Sequence, residues 1–180
     1  MLNEEINGAR DVTKTNTYRV ETFKSPELGL LGYVDSDKVV FYRTSTKRHT
    51  KQSEFDVQAL TSLPQVDIVY SYADSTPVVA QALVKSGAKG LVFAGTGAGL
   101  LSTREREAIK PLLSMPADTR PILVRSSRPG NGRVIALADY EPLQMIPADN
   151  LNPQKARILL MLALTKTRDL REIARMFSEY

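Results

Sequence analysis

Residues 66–70, 90–94 and 121–124 are short apolar runs, and each is separated from the next by a segment that starts and stops as a helix does. Strands with so few polar positions must be covered on both faces. When helices alternate with such strands, the arrangement that covers them is a parallel, helix-flanked sheet. Ser75, Thr76 and Pro77 supply a helix start with proline in the first turn, before Val78, Val79, Ala82 and Leu83, and Gly87 closes that helix. Ser102, Thr103, Arg104 and Glu105 read as a capping box opening a helix that carries Ile109, Leu112 and Leu113. The sheet core is expected to contain Ile68, Val69, Leu91, Val92, Leu123 and Val124, all more buried than the charged residues around them. Downstream, Asn152 and Pro153 open a helix through Ala156, Ile158, Leu159, Leu162 and Ala163. Asp169 caps a last helix with Ile173, Met176 and Phe177 on one face.

Upstream the texture changes. Residues 30–33 and 38–42 are short apolar runs around the turn-like Val34, Asp35, Ser36 and Asp37, which predicts a β-hairpin. Residues 43–52 are polar and basic, and apolar side chains resume only at Phe55, Val57, Leu60 and Leu63, so residues 43–64 read as a surface connection fixed at one end. The division is therefore 1–42, a linker over 43–64, and an α/β domain over 65–180. The 24 basic and 20 acidic residues are interleaved rather than gathered into a stripe, which argues against a nucleic-acid surface. The absence of cysteine removes disulfides, thiolate nucleophiles and cysteine zinc sites. The longest apolar run, residues 158–164, is far shorter than the ~20 residues that cross a bilayer. The N-terminal residues Asn3, Glu4 and Glu5 are not those of an export signal, so the localisation is left open.

Several segments together are similar to one family: Asp11-Val12-Thr13-Lys14-Thr15-Asn16-Thr17, Thr22-Phe23-Lys24-Ser25, Leu31-Gly32-Tyr33, Phe55-Asp56-Val57, Arg125-Ser126-Ser127-Arg128, and Asn150-Leu151-Asn152-Pro153-Gln154-Lys155-Ala156-Arg157. They resemble type II L-asparaginases, in matching order and nearly matching spacing from about residue 2 to Tyr180, over the distal half of a family member. The resemblance implies an incomplete N-terminal α/β domain ending in the β-hairpin, then a whole C-terminal α/β domain with a short parallel sheet flanked by helices. It also implies hydrolysis of L-asparagine, with L-glutamine as a related substrate, and a homo-oligomer or a complementary N-terminal chain as partner. No cofactor is implied. Relatives of this type are mostly periplasmic or secreted. The family's threonine nucleophile and its Gly-Thr-Asp-Thr segment have no counterpart in these residues, so the isolated chain is expected to be inactive. The alternative is a non-catalytic association module with the same fold.

By itself Lys14 would be read as a solvated lysine. The family motif instead implies a catalytic role, working with a threonine and an aspartate to activate a hydroxyl. A lysine doing this must be held close to its charge balance, since a free amine at about 10.4 cannot accept a proton near neutrality. Gly95-Thr96-Gly97-Ala98-Gly99 follows a strand and precedes a helix, yet Leu100 stands where a dinucleotide loop needs its third glycine, so a tight turn is the simpler reading. The resemblance implies that this loop reaches the active site of a neighbouring subunit through a polar residue, and Leu100 occupies that position. Glu141, with Asp139 behind it, is the candidate for a carboxylate that contacts the substrate amino group across that boundary; either can equally be an ordinary loop carboxylate. His49, the only histidine, lies among Lys47, Arg48 and Lys51, surroundings that oppose an imidazolium and a metal alike. No metal site is read from the sequence.

Overall fold

The computed structural model describes residues 2–180, and their contacts divide the chain into two compact units, one of residues up to Gln52 with Tyr180 and one of Ser53–Glu179. The first unit contains β1 (Glu5–Ile6), β2 (Thr13–Lys14), β3 (Phe23–Lys24), β4 (Gly32–Val34) and β5 (Val39–Phe41), paired antiparallel as β1-β4-β5 and β2-β3. The predicted hairpin is β4–β5, with Val34 opposite Val39 and Asp35 N–H donating to the Lys38 carbonyl at 3.1 Å. Gly32 is required there, because a Cβ at that position would lie 2.0 Å from the Val40 carbonyl oxygen. Large apolar side chains remain outside this small core: Tyr18 is 94% exposed, Val20 87% and Tyr42 73%.

Residues 43–52 are mostly exposed, with a single 3-10 turn at Thr50–Gln52. Trypsin is expected to cut first within residues 43–54, where Arg43, Lys47, Arg48 and Lys51 lie in a polar segment poor in apolar anchors. Limited proteolysis read by mass spectrometry checks this, and a first cut inside residues 66–124 would contradict it.

The second unit holds β6 (Val66–Tyr70), α1 (Val78–Lys85), β7 (Gly90–Gly95), α2 (Thr103–Leu113), β8 (Ile122–Ser127), β9 (Ile146–Pro147), α3 (Pro153–Leu164) and α4 (Leu170–Glu179). Its sheet is parallel throughout in the order β6-β7-β8-β9. Period-2 alternation divides the side chains between two layers. Ile68, Val92, Val124 and Ile146 form one row; Val69, Phe93 and Arg125 form the next. Val69, Leu91, Phe93 and Leu123 join Ala80 of α1 and Ile109 and Leu112 of α2 in one core cluster. Helix α3 packs on β6, β7 and β8, and α4 packs on α3 and β9. Ile173, Met176 and Phe177 are all buried, as the helical spacing predicts.

The capping box of α2 is complete: Glu105 N–H donates to Ser102 Oγ at 3.2 Å and Ser102 N–H donates to Glu105 Oε2 at 2.8 Å. Asn152 Oδ1 accepts from Lys155 N–H at 3.0 Å at the start of α3, and Asp169 Oδ1 accepts from Arg171 and Glu172 N–H ahead of α4. Helix α1 differs from expectation, since it starts after Pro77 with no side-chain cap. Glu54, at the start of this unit, is fixed to α4 by Arg175, which also bridges Glu172 and Glu179.

Two further expectations are corrected. Ile68 is only half-buried. More important, the third run does not stop at Val124: β8 continues through Arg125, Ser126 and Ser127, and Arg125 at 1% exposure is more buried than Val69 at 6%. The fourth strand, β9, is two residues long and carries a proline, so no apolar run announces it.

Candidate functional site

Lys14 lies on β2, opposite Phe23 of β3, with its side chain exposed. The connection between these strands is tied by side chains. Thr15 donates to the Thr22 carbonyl through both N–H and Oγ1, each at 2.8 Å. Buried Thr22 Oγ1 in turn donates to the Asn16 carbonyl and accepts from Asn16 N–H, both at 2.7 Å. Asn16 Oδ1 accepts from Tyr18 and Arg19 N–H at 2.9 and 3.1 Å, turning the tip. The threonine-rich motif therefore has a structural reading: its hydroxyls replace ladder hydrogen bonds and fix the backbone that presents Lys14.

In the second unit the glycine loop sits at the carboxyl end of β7. Thr96 and Leu100 bond each other in both directions, Thr96 N–H to the Leu100 carbonyl at 2.9 Å and the reverse at 2.7 Å. Gly97 and Gly99 both have positive φ, and a Cβ on Gly95 would lie 2.4 Å from the Gly99 carbonyl carbon, so the glycines serve a tight turn. The Arg125-Ser126-Ser127 stretch holds this loop from below. Arg125 Nη1 donates to the Ala98 carbonyl at 2.9 Å, its Nη2 donates to the Ile135 carbonyl, and Ser127 Oγ donates to the Gly97 carbonyl. Ser126 Oγ donates to the Leu151 carbonyl at 2.7 Å. The Arg125 guanidinium also stands 4.2 Å from the centroid of the Tyr140 ring. Burial pulls its pKa below the ordinary value, against an opposing contribution from Tyr140.

Leu100 is 46% exposed at the loop tip. Glu141 and Asp139 are exposed on the 3-10 turn Ala138–Leu143, with Asp139 Oδ2 3.7 Å from Arg106 Nη1. Between them Tyr140 is buried, and its hydroxyl accepts from Leu101 N–H at 2.8 Å. Leu100 and Glu141 thus flank one hydrogen bond and belong to neighbouring segments, while Lys14 belongs to the first unit. His49 is exposed, with Nδ1 3.2 Å from Thr50 Oγ1.

One polar cluster was not legible as such in the sequence. Glu105, 6% exposed, sits with Ser71 at 2% and Ser75 at 5%, on α2 and just beyond the carboxyl end of β6. Ser71 Oγ, Ser75 Oγ and Glu105 Oε1 are buried without an ideally placed partner, but freely turning hydroxyl protons can face the carboxylate. Burial alone would raise the Glu105 pKa. Hydrogen bonds from Ser75, from the Ser102 N–H, and from the Ser71 and Ser102 hydroxyls outweigh it and hold the carboxyl below its ordinary value. A depressed carboxyl pKa contributes stability above the unfolded pKa and loses it as pH falls through the folded one. Glu105→Gln is therefore expected to cost about 1–2 kcal/mol at neutral pH, with the difference from wild type shrinking below about pH 4. Urea midpoints of both proteins at neutral and acid pH check this; an unchanged difference contradicts it.

Among the described residues no group of three or more acidic or histidine side chains is placed to hold a metal, and no helix is long and apolar enough to cross a membrane. Comparison with known proteins gives the family. Residues 65–177 match the glutaminase/asparaginase C-terminal domain, and residues 1–47 match the asparaginase N-terminal domain. The chain is 45% identical over 180 residues to L-asparaginase 2 of Bacillus subtilis, covering all of this chain and 47% of that protein. It is 41% identical to L-asparaginase 2 of Escherichia coli, covering all of this chain and 51% of that protein, and 41% identical to a glutaminase-asparaginase of Pseudomonas fluorescens, covering 99% and 49%. The crystal structure of a probable cytoplasmic L-asparaginase from Campylobacter jejuni superposes with a TM-score of 0.91 at 46% identity, over 99% of this chain and 56% of that one. The chain thus spans about half the length of the relatives it matches. Two family domains in chain order, together with the parallel sheet and the threonine-tied Lys14 strand, place it: the chain belongs to the type II L-asparaginase group of the glutaminase/asparaginase family.

Proposed function

We propose that this chain contributes Lys14, and the Leu100 and Glu141 segments, to an amidohydrolase that converts L-asparagine and water to L-aspartate and ammonia. The observation that carries the reading is the match to both family domains in order, with the lysine motif inside the first. In the proposed reaction a hydroxyl oxygen attacks the side-chain amide carbon, the hydroxyl proton passes to the amide nitrogen, the C–N bond breaks, and the nitrogen leaves as ammonia. Water then hydrolyses the resulting ester. Lys14 takes part in the proton transfer that activates the hydroxyl. The hydroxyl is supplied by a segment outside these 180 residues, in a larger or complementary polypeptide, and Glu141 faces the substrate of a neighbouring subunit in a homo-oligomer. Tyr18, Val20 and Tyr42, all exposed in the first unit, offer apolar surface that such a partner would cover. L-Glutamine is a second candidate substrate, since one matched relative is a glutaminase-asparaginase.

One feature favours the second reading, an association module without catalysis: Leu100 is exposed and apolar, and has no group to hydrogen-bond a substrate. Mixing the chain with the unmatched part of the Bacillus subtilis relative separates the two. The enzyme reading expects ammonia release from the mixture and none from the chain alone. Binding without turnover is the expected result for the module.

A further inference from the structure

At the amino end of β8, the opposite end of the sheet from the glycine loop, lies a cavity of about 140 Å³ lined by Leu113, Arg120, Ile122, Gln144, Arg168 and Leu170, among others. A liquid water occupies about 30 Å³, so the space holds a few waters or one small ion. Its charges are one-sided. Arg120 Nη1 donates to the Leu113 carbonyl at 3.0 Å, at the end of α2, and Arg168 Nη2 donates to the Arg120 carbonyl. These bonds fix both side chains at the cavity and use one nitrogen of each. Arg168 Nε is buried and has no hydrogen-bond partner. Among the described residues neither guanidinium pairs with a carboxylate, and no acidic side chain lines the cavity. The acids nearest in sequence to the two arginines, Asp118 and Asp169, are both exposed, and Asp169 accepts the first N–H groups of α4.

Two always-charged groups beside apolar walls, with donors to spare, match one class of ligand. A guanidinium presents a planar fork of donors that fits the paired oxygens of a carboxylate or phosphate, and nearby apolar walls strengthen that bond. Gln144 adds an amide at the rim, on a backbone turned to φ 51°. We propose that this cavity is a binding site for a small oxyanion, phosphate or a short dicarboxylate, held by Arg120 and Arg168. A nucleotide is too large for it.

The test is isothermal titration of the 180-residue chain with sodium phosphate and, separately, sodium succinate, with chloride holding ionic strength constant. Saturable binding of one equivalent of either anion is expected, weakened at least tenfold by Arg168→Gln and by Arg120→Gln and unchanged by Arg128→Gln, a surface control. Tighter phosphate identifies a tetrahedral ligand, and tighter succinate a dicarboxylate. If a glutamine variant does not fold, Arg168→Lys is measured instead; it keeps the charge on a single donor nitrogen but loses the planar fork, so weaker binding is expected. No saturable binding of either anion, or affinity unchanged in the folded arginine variants, overturns the proposal.

Discussion

Arg125→Ala is expected to destabilise the second unit by about 3–5 kcal/mol. The substitution removes the charge-assisted hydrogen bonds that the guanidinium gives to the carbonyls of Ala98 and Ile135, at about 1.5–3 kcal/mol for each bond to a charged group. It also removes the guanidinium from the Tyr140 ring, worth about 0.5–2 kcal/mol where desolvated, and opens a cavity beside Phe93. Relief of the cost of burying a charge offsets part of this. Arg125→Met separates the contributions, since it keeps most of the volume and drops the charge together with the same hydrogen bonds, and about 1–3 kcal/mol is expected. Because Arg125 binds the glycine loop, amide exchange in residues 96–100 should accelerate in both variants. Urea unfolding followed by circular dichroism gives the comparison, and an alanine variant within about 1 kcal/mol of wild type would show that the loop holds without it.

The same residue marks the limit of what sequence reading achieves here. Apolar runs and cap residues are local signals, and they located β6, β7 and the start of β8, the α2 capping box, and the packing face of α4. Arg125 was read only as part of a family motif, because a charge at the end of an apolar run looks like the point where a strand emerges into water. What buries it is non-local: carbonyls of Ala98 and Ile135, 27 and 10 residues away, and the ring of Tyr140. Glu105 was visible as a capping residue, but its two serine neighbours come from the turn after β6 and no spacing rule joins them. Strand β9 has no apolar run to betray it and exists through its pairing with β8. Of the candidate site, Leu100 and Glu141 are brought into neighbouring segments by Tyr140, a residue that sequence alone gave no reason to single out.

Lys14→Met is expected to lower kcat/KM for L-asparagine by about 10²–10⁴-fold in the reassembled enzyme, the range for loss of one proton-transferring group. Methionine keeps a long, flexible stem, so β2, its pairing with β3 and the Thr15–Thr22 bonds should persist. Binding of the complementary segment should be nearly unchanged, and the loss should fall on kcat more than on KM. In the isolated chain Lys14 is exposed, and a hydroxyl nucleophile needs a base, an orienting partner and an oxyanion site within about 3 Å of the reacting atom. On the proposed reading the folded chain by itself is therefore expected to be inactive. The deciding measurement is ammonia release from L-asparagine by three highly purified samples: the chain alone, the chain with the unmatched part of the Bacillus subtilis relative, and the same mixture carrying Lys14→Met. The account predicts turnover in the second only; turnover by the chain alone, or undiminished turnover with Lys14→Met, would contradict it.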